Sequence, residues 1–236
     1  MDFDAFYKDL MARMQAVLKP RGFRKSGARL WHKDENNLAK AVEVQKSRFN
    51  VAAASSFTVN ICIGLSDKKV PCHLQIEGNL GGTLEDGWRH QKWYELRDPN
   101  DPLVVNGKCA IRFQEPGKPM QEVWIPCAVP EEAIREVCFL IENKVLPFFD
   151  TVTTLEEYWD LYRNLKPGDF MMVSLNEEDL RLYASVYGVR MLPEVERRIA
   201  FEEDQLSRPD LNRIAKQYYE RCLAQLEEIH QQILEG

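Results

Sequence analysis

The chain has 236 residues and lacks most of the features that would assign it to a function class. No apolar run approaches the ~20 residues that cross a bilayer. The opening Met1-Asp2-Phe3-Asp4 is acidic and amphipathic, without the basic start and apolar stretch of a secretory leader. The expected address is therefore the cytoplasm, with no membrane partner. Six cysteines are scattered and none form a CxxC pair. They read as reduced packing residues, not as disulfides or zinc ligands.

Catalytic motifs are equally sparse. The four histidines, His32, His73, His90 and His230, stand apart. None forms HxxxH or HExxH, and none accompanies a serine of the nucleophile-elbow type. Cys72-His73 is adjacent in sequence, which sends two strand side chains to opposite faces. Gly81-Gly82 lacks the Lys-Ser/Thr that completes a phosphate loop. The acidic runs Glu156-Glu157, Glu177-Glu178-Asp179 and Glu202-Glu203-Asp204 fit helix first turns and solvated faces. No metal, no cofactor and no catalytic residue is expected, and the reading leans away from an enzyme.

What is present is a strand pattern. Val42-Glu43-Val44-Gln45-Lys46-Ser47 and Phe57-Thr58-Val59-Asn60-Ile61-Cys62-Ile63 both alternate apolar and polar residues. That period is the mark of a half-buried strand. Phe57, Val59, Ile61, Ile63 and Leu65 point to a core; Glu43, Gln45, Ser47 and Asn60 point to the reverse. Lys46 falls on the other face or at a strand end.

Around this pair the organisation is legible. Phe3, Phe6, Tyr7, Leu10, Met11, Met14, Val17 and Leu18 recur at helical spacing behind an Asp2 cap, and Pro20 with Gly22 stops them. Residues 23–25 and 30–33 read as a hairpin turning at Ser26-Gly27, residues 51–56 as a loop, and Leu74 and Ile76 as a short strand. Residues 78–108 form an irregular centre containing Trp88, Trp93 and Tyr94. A further hairpin runs over 109–115 and 122–127. Helices follow: one from Pro130 to Pro147, and one with Thr154 and Glu157 spaced as a capping box. The next is capped by Asn176, another opens at Pro193, and a long last helix is capped by Ser207. The fold class is α+β: an antiparallel sheet with an N-terminal helix on one face, followed by an all-helical part. The boundary is placed near residue 150, giving 1–150 and 151–236, with the helical extension packed on the first domain.

The segment Leu18-Lys19-Pro20-Arg21-Gly22-Phe23-Arg24-Lys25-Ser26-Gly27, then Leu30-Trp31-His32-Lys33, Gln45-Lys46-Ser47, Asn60, and Leu146-Pro147-Phe148-Phe149-Asp150, resembles the bacterial domain-of-unknown-function family 4304. The resemblance covers about the first 150 residues and leaves the C-terminal helices outside. It implies a small α+β domain with a helix against an antiparallel sheet, and it implies no activity.

Two surfaces remain as candidates. Gln45, Ser47, Asn60 and Arg112, with Trp88 or Trp93 as a lid, would line a pocket for a polar ligand if the reverse sheet face is open and the helices after 150 roof it. If the face is covered, those groups must satisfy one another, since each unpaired buried polar group costs about 1–3 kcal/mol. The second surface is basic. Residues 1–50 carry 11 Lys/Arg against 6 Asp/Glu, whereas residues 151–236 carry 10 against 17. Arg24, Lys25, Arg29, Trp31 and Lys33 would meet a protein partner. With pI ≈ 5.4 the whole chain is acidic, so nucleic acid is not the expected partner. The leading expectation is a non-catalytic accessory or immunity-type interaction module; a small-molecule-binding or enzymatic domain is the alternative. Oligomeric state is not encoded in any pattern found.

Overall fold

A computed structural model describes residues 1–33, 38–48, 50–65, 76–79, 92–98, 100–113, 119–164, 172–173 and 177–235. Helix α1 (Phe3–Leu18) forms as its periodicity predicts. Asp2 Oδ1 accepts the Ala5 N–H at 2.9 Å, filling one of the donors that every helix start leaves open. Its buried stripe is Phe6, Tyr7, Leu10, Met11, Met14 and Leu18. A 3₁₀ turn over Lys19–Arg21 ends at Gly22, which takes φ 81°. A side chain there would also run into the His32 ring, 3.0 Å from a Cβ.

The sheet is antiparallel throughout. Its strands are β1 (Arg24–Ser26), β2 (Arg29–Lys33), β3 (Leu38–Lys46), β4 (Ala54–Leu65), β5 (Ile76–Asn79) and β6 (Tyr94–Arg97). A second, three-stranded sheet holds β7 (Val104–Val105), β8 (Lys108–Phe113) and β9 (Gln121–Pro126). Strand β10 (Met172–Val173) returns to the first sheet, giving the order β1-β2-β3-β4-β5-β10. The twelve-residue β4 is its axis. One edge pairs with β3 along nearly its whole length, and the other takes β6 at 54–57 and β5 at 60–63.

The residue pattern predicts a loop over 51–56 and an irregular centre over 78–108. The chain instead turns tightly through a Val51–Ala54 bridge, so β4 starts at Ala54. Within the centre β6 and β7 form, and Asn106-Gly107 closes the β7–β8 hairpin with φ 50° and 70°. Two- and four-residue strands are too short to display an alternation.

Helix α2 (Pro130–Leu140) does not stop at Pro147 as expected. It passes through a π turn, Ile141–Val145, into α3 (Leu146–Asp150). The Leu146 N–H reaches back to the Ile141 carbonyl, and the widened turn takes in Pro147, which has no N–H to give. Helices α4 (Leu155–Arg163), α5 (Glu177–Tyr187), α6 (Leu192–Leu206) and α7 (Arg213–Glu235) complete the chain. The capping box at α4 is present with both bonds. Ser207, expected to open the last helix, ends α6: its N–H donates to Glu203 O and its Oγ to Asp204 O. Asn212 opens α7, its Oδ1 accepting the Ala215 N–H at 3.0 Å. A hydroxyl serves either end of a helix, and Pro209 shortly beyond Ser207 was the discriminating signal. No helix among the described residues is long and apolar enough to cross a membrane. The capping residue Asn176 lies outside the described residues.

Two hydrophobic clusters cover one face of the sheet. The first packs α1, α2 and α3 on Val42, Val44, Phe57, Val59 and Ile61. The second packs α4 to α7 on Leu38, Ile63 and Leu65, through Tyr158, Tyr183, Leu226 and Ile229. All eight sheet residues share one parity in the β3–β4 register, so the helical extension lengthens the layer started by α1. Among its described residues it does not roof the reverse face, where the ligand-pocket expectation puts it.

Candidate functional site

Register fixes what the reverse face carries. Glu43 lies opposite Asn60, Gln45 opposite Thr58, and Ala41 opposite Cys62. On the outer side, Arg29 lies opposite Glu43 and Trp31 opposite Ala41, while Arg24 faces Trp31 across the β1–β2 hairpin. Two cross-strand rows result: Arg24–Trp31–Ala41–Cys62 and Ser26–Arg29–Glu43–Asn60. Lys33, opposite Ala39, has the same parity. Lys25 pairs with Leu30, which is fully buried in the core, so Lys25 leaves the surface it was grouped with. Lys46 falls on the core side at the strand end, its Nζ 3.8 Å from the centre of the Tyr7 ring.

Toward β4 the face closes. Thr58, Asn60 and Cys62 are all buried, and their polar groups are engaged. Asn60 Nδ2 donates to Gln45 Oε1 at 2.7 Å, and Thr58 Oγ1 donates to the Lys92 carbonyl at 2.7 Å. Arg29 Nε donates to Glu43 Oε2 at 2.9 Å. Ser47 is half-buried and its N–H donates to Ser56 O. Gln45 stays exposed. Trp93, half-buried, follows Lys92 directly and so lies beside this group. Arg112 sits in β8 of the other sheet, opposite Glu122, and is not brought to this face. Trp88 lies outside the described residues, as do Cys72, His73, Gly81, Gly82 and His90. The five described cysteines are free thiols.

The far end of the face was missed in the sequence. Glu95 lies opposite Ser56 on β4, and Arg97 opposite Ala54. Burial raises the Glu95 carboxyl above its ordinary value, opposed by Arg97 and by a hydrogen bond from Ser56. Arg97 NH1 lies 3.7 Å from Asp101 Oδ2, and both side chains are largely buried. Burial also pushes the Cys127 thiol up to about 11, with Cys109 beside it. The one available signal was Tyr94-x-Leu96, two residues of an alternation too brief to name.

Toward β1 the face opens. Arg24 and Ser26 are exposed, and Arg29, Trp31 and Lys33 are half-buried. An aromatic ring among three cationic side chains, on a hairpin at the sheet edge, gives flat apolar area and positive charge together. A cleft of about 590 Å³ exists elsewhere, lined by Ala16, Val17, Pro20, Arg21, Glu142 and Asp150, where Arg21 pairs with Asp150. It belongs to the outer side of α1 and α3, away from the polar rows.

Residues 14–102 match the family model described as Domain of unknown function (DUF4304), and no family model covers the C-terminal part. No curated protein and no solved structure matches the chain.

Proposed function

We propose that this protein is a non-catalytic interaction module of the bacterial cytoplasm, an accessory or immunity-type binder that engages an acidic protein partner through Arg24, Trp31 and Lys33. The observation that carries the reading is the β1–β2–β3 register, which gathers Arg24, Arg29, Trp31 and Lys33 on one side of the sheet edge. The polar groups that a small ligand would need support the same choice. Asn60 and Gln45 bond each other, and Thr58 bonds main chain, so these groups hold the sheet's reverse face together. Charge supplies the encounter and its orientation, while Trp31 supplies the buried anchor typical of interface centres.

The test compares the parent chain with Arg24→Glu and Trp31→Ala as bait in a low-salt capture from the source cell. The expected result is a partner of net negative charge that is retained by the parent, eluted by salt, and lost by both variants. Each variant is expected to weaken binding by about 2 kcal/mol or more, roughly 30-fold, as interface anchors do. Circular dichroism of the variants should match the parent. Capture indifferent to both substitutions, or no acidic protein retained, refutes the proposal.

A further inference from the structure

Strand β9 is the outer strand of the three-stranded sheet; among the described residues no strand pairs with its far side, and β6 meets the chain only past its end, at Ala128. Five of its six residues are exposed, with Val123 at 44% and Trp124 at 46%. Native edge strands are usually kept short, charged or interrupted by proline, because an open apolar edge is a template for pairing. Here the proline comes only at Pro126, and Val123, Trp124 and Ile125 stand before it.

The direction of the main chain follows from two bonds. The Cys127 N–H donates to Gly107 O, on the β8 side, at 2.8 Å, and the Ala128 N–H turns the other way, to Glu95 O, at 2.7 Å. Peptide groups alternate along a strand. The N–H groups of Ile125 and Val123 therefore face β8, while the N–H and carbonyl of Trp124 face outward.

We propose that β9 pairs antiparallel with β9 of a second copy of this chain, about a two-fold axis at Trp124, joining two three-stranded sheets into one. Of the registers that use the outward main-chain groups, those centred on Ile125 or Pro126 put Pro126, which has no N–H, at the middle of the ladder. Centring on Glu122 sets two carboxylates directly opposite, which is repulsive. Centring on Val123 sets Glu122 against Trp124. Centring on Trp124 sets Trp124 against Trp124 and Val123 against Ile125 on both sides, matching apolar with apolar at every central position. Pro126, which has no N–H to offer, then ends the ladder opposite Glu122.

The same register matches charge. Lys108 lies opposite Pro126, and Arg112 opposite Glu122, within one sheet. Across the axis one row therefore reads Arg112, Glu122, then Pro126 and Lys108 of the second copy. Glu122 and that Lys108 are two strand spacings apart, about 10 Å between backbones. Their long side chains span that distance over the small proline ring, and the two-fold axis makes the contact twice.

Sedimentation equilibrium on the full chain, from about 1 μM to about 1 mM, covers the affinity range of such an edge contact. The expected mass rises from 27.5 kDa to twice that value with concentration. Trp124→Pro removes an outward N–H and leaves the bonds to β8 untouched, so this variant stays monomeric with an unchanged circular dichroism spectrum. Trp124→Asp keeps the main chain and sets like charges face to face at the axis, so it also stays monomeric if the proline variant fails to fold. Lys108→Glu is expected to weaken the dimer about 5-fold at low salt, since the two-fold axis loses the exposed pair twice. A parent chain that is monomeric at about 1 mM, well past the micromolar range, overturns the proposal. So does a dimer that survives both Trp124 substitutions, or one that is abolished by Ile214→Lys on the exposed side of α7.

Discussion

Tyr94 stacks its ring on Phe57 at 4.9 Å with 13° between planes, and it is 4% exposed. Its hydroxyl, however, is buried with no hydrogen-bond partner among the described residues. Burial, with Glu136 nearby, also holds the phenol far above its ordinary pKa, so the group is neutral. A buried hydroxyl without a partner forfeits the bonds it made to water in the unfolded chain, at about 1–3 kcal/mol. Tyr94→Phe removes that oxygen and keeps the stack. The oxygen leaves a small void that offsets part of the gain, so net stabilisation of about 1 kcal/mol is expected. For a chain of this size that is a rise in Tm of about 2–4 °C. Urea unfolding followed by circular dichroism reads the free energy, with a melting scan as the second measurement. Phe57→Ala in the same experiment calibrates the site. Phe57 is fully buried against Phe6, Tyr7 and Tyr94, and its removal should cost about 3–5 kcal/mol. A Tyr94→Phe variant less stable than the parent by about 1 kcal/mol would mean that the hydroxyl makes a net favourable bond, and the reasoning fails.

Other perturbations follow from the helical part. Glu202 has a side chain 3% exposed, with Arg198 at 3.5 Å and one carboxylate oxygen unpartnered among the described residues. Burial raises its pKa, opposed by Arg198 and reinforced by Glu177. A carboxyl raised in the folded state contributes most below its unfolded pKa and loses that contribution as pH rises through the folded value. Glu202→Gln, which cannot ionise, should therefore gain on the parent more at neutral pH than near pH 4, read from urea midpoints at both. Equal gaps at the two pH values would exclude the assigned ionisation. At α4, Thr154 Oγ1 accepts the Glu157 N–H at 3.2 Å, and Thr154→Ala should cost about 1 kcal/mol by the same denaturation assay. Glu157 accepts from the N–H groups of Thr153 and Thr154, and these bonds, that from the Thr153 main chain first, hold its pKa low. Its contribution is present above the unfolded pKa and lost as pH falls, so Glu157→Gln should destabilise at neutral pH and have no effect in acid.

The amino-acid sequence alone determined the elements whose period repeats often enough to read. The α1 stripe from Phe6 to Leu18, the β3–β4 alternation, the Asp2 cap and the Thr154–Glu157 box are local, because each depends on residues within a few positions of one another. The resemblance to the family matched over residues 14–102 was legible for the same reason. Tertiary structure decided the rest. Alternation along β1 already separates Lys25 from Arg24, but only the pairing of β1 with β2, β2 with β3 and β3 with β4 puts Arg24 and Trp31 on the face of Glu43 and Asn60 and Lys25 on the other. Only packing puts the later helices on Leu38, Ile63 and Leu65, on the layer started by α1. Short strands such as β6 and β7 are stabilised by the neighbours they join, so their own residues carry too little pattern to announce them.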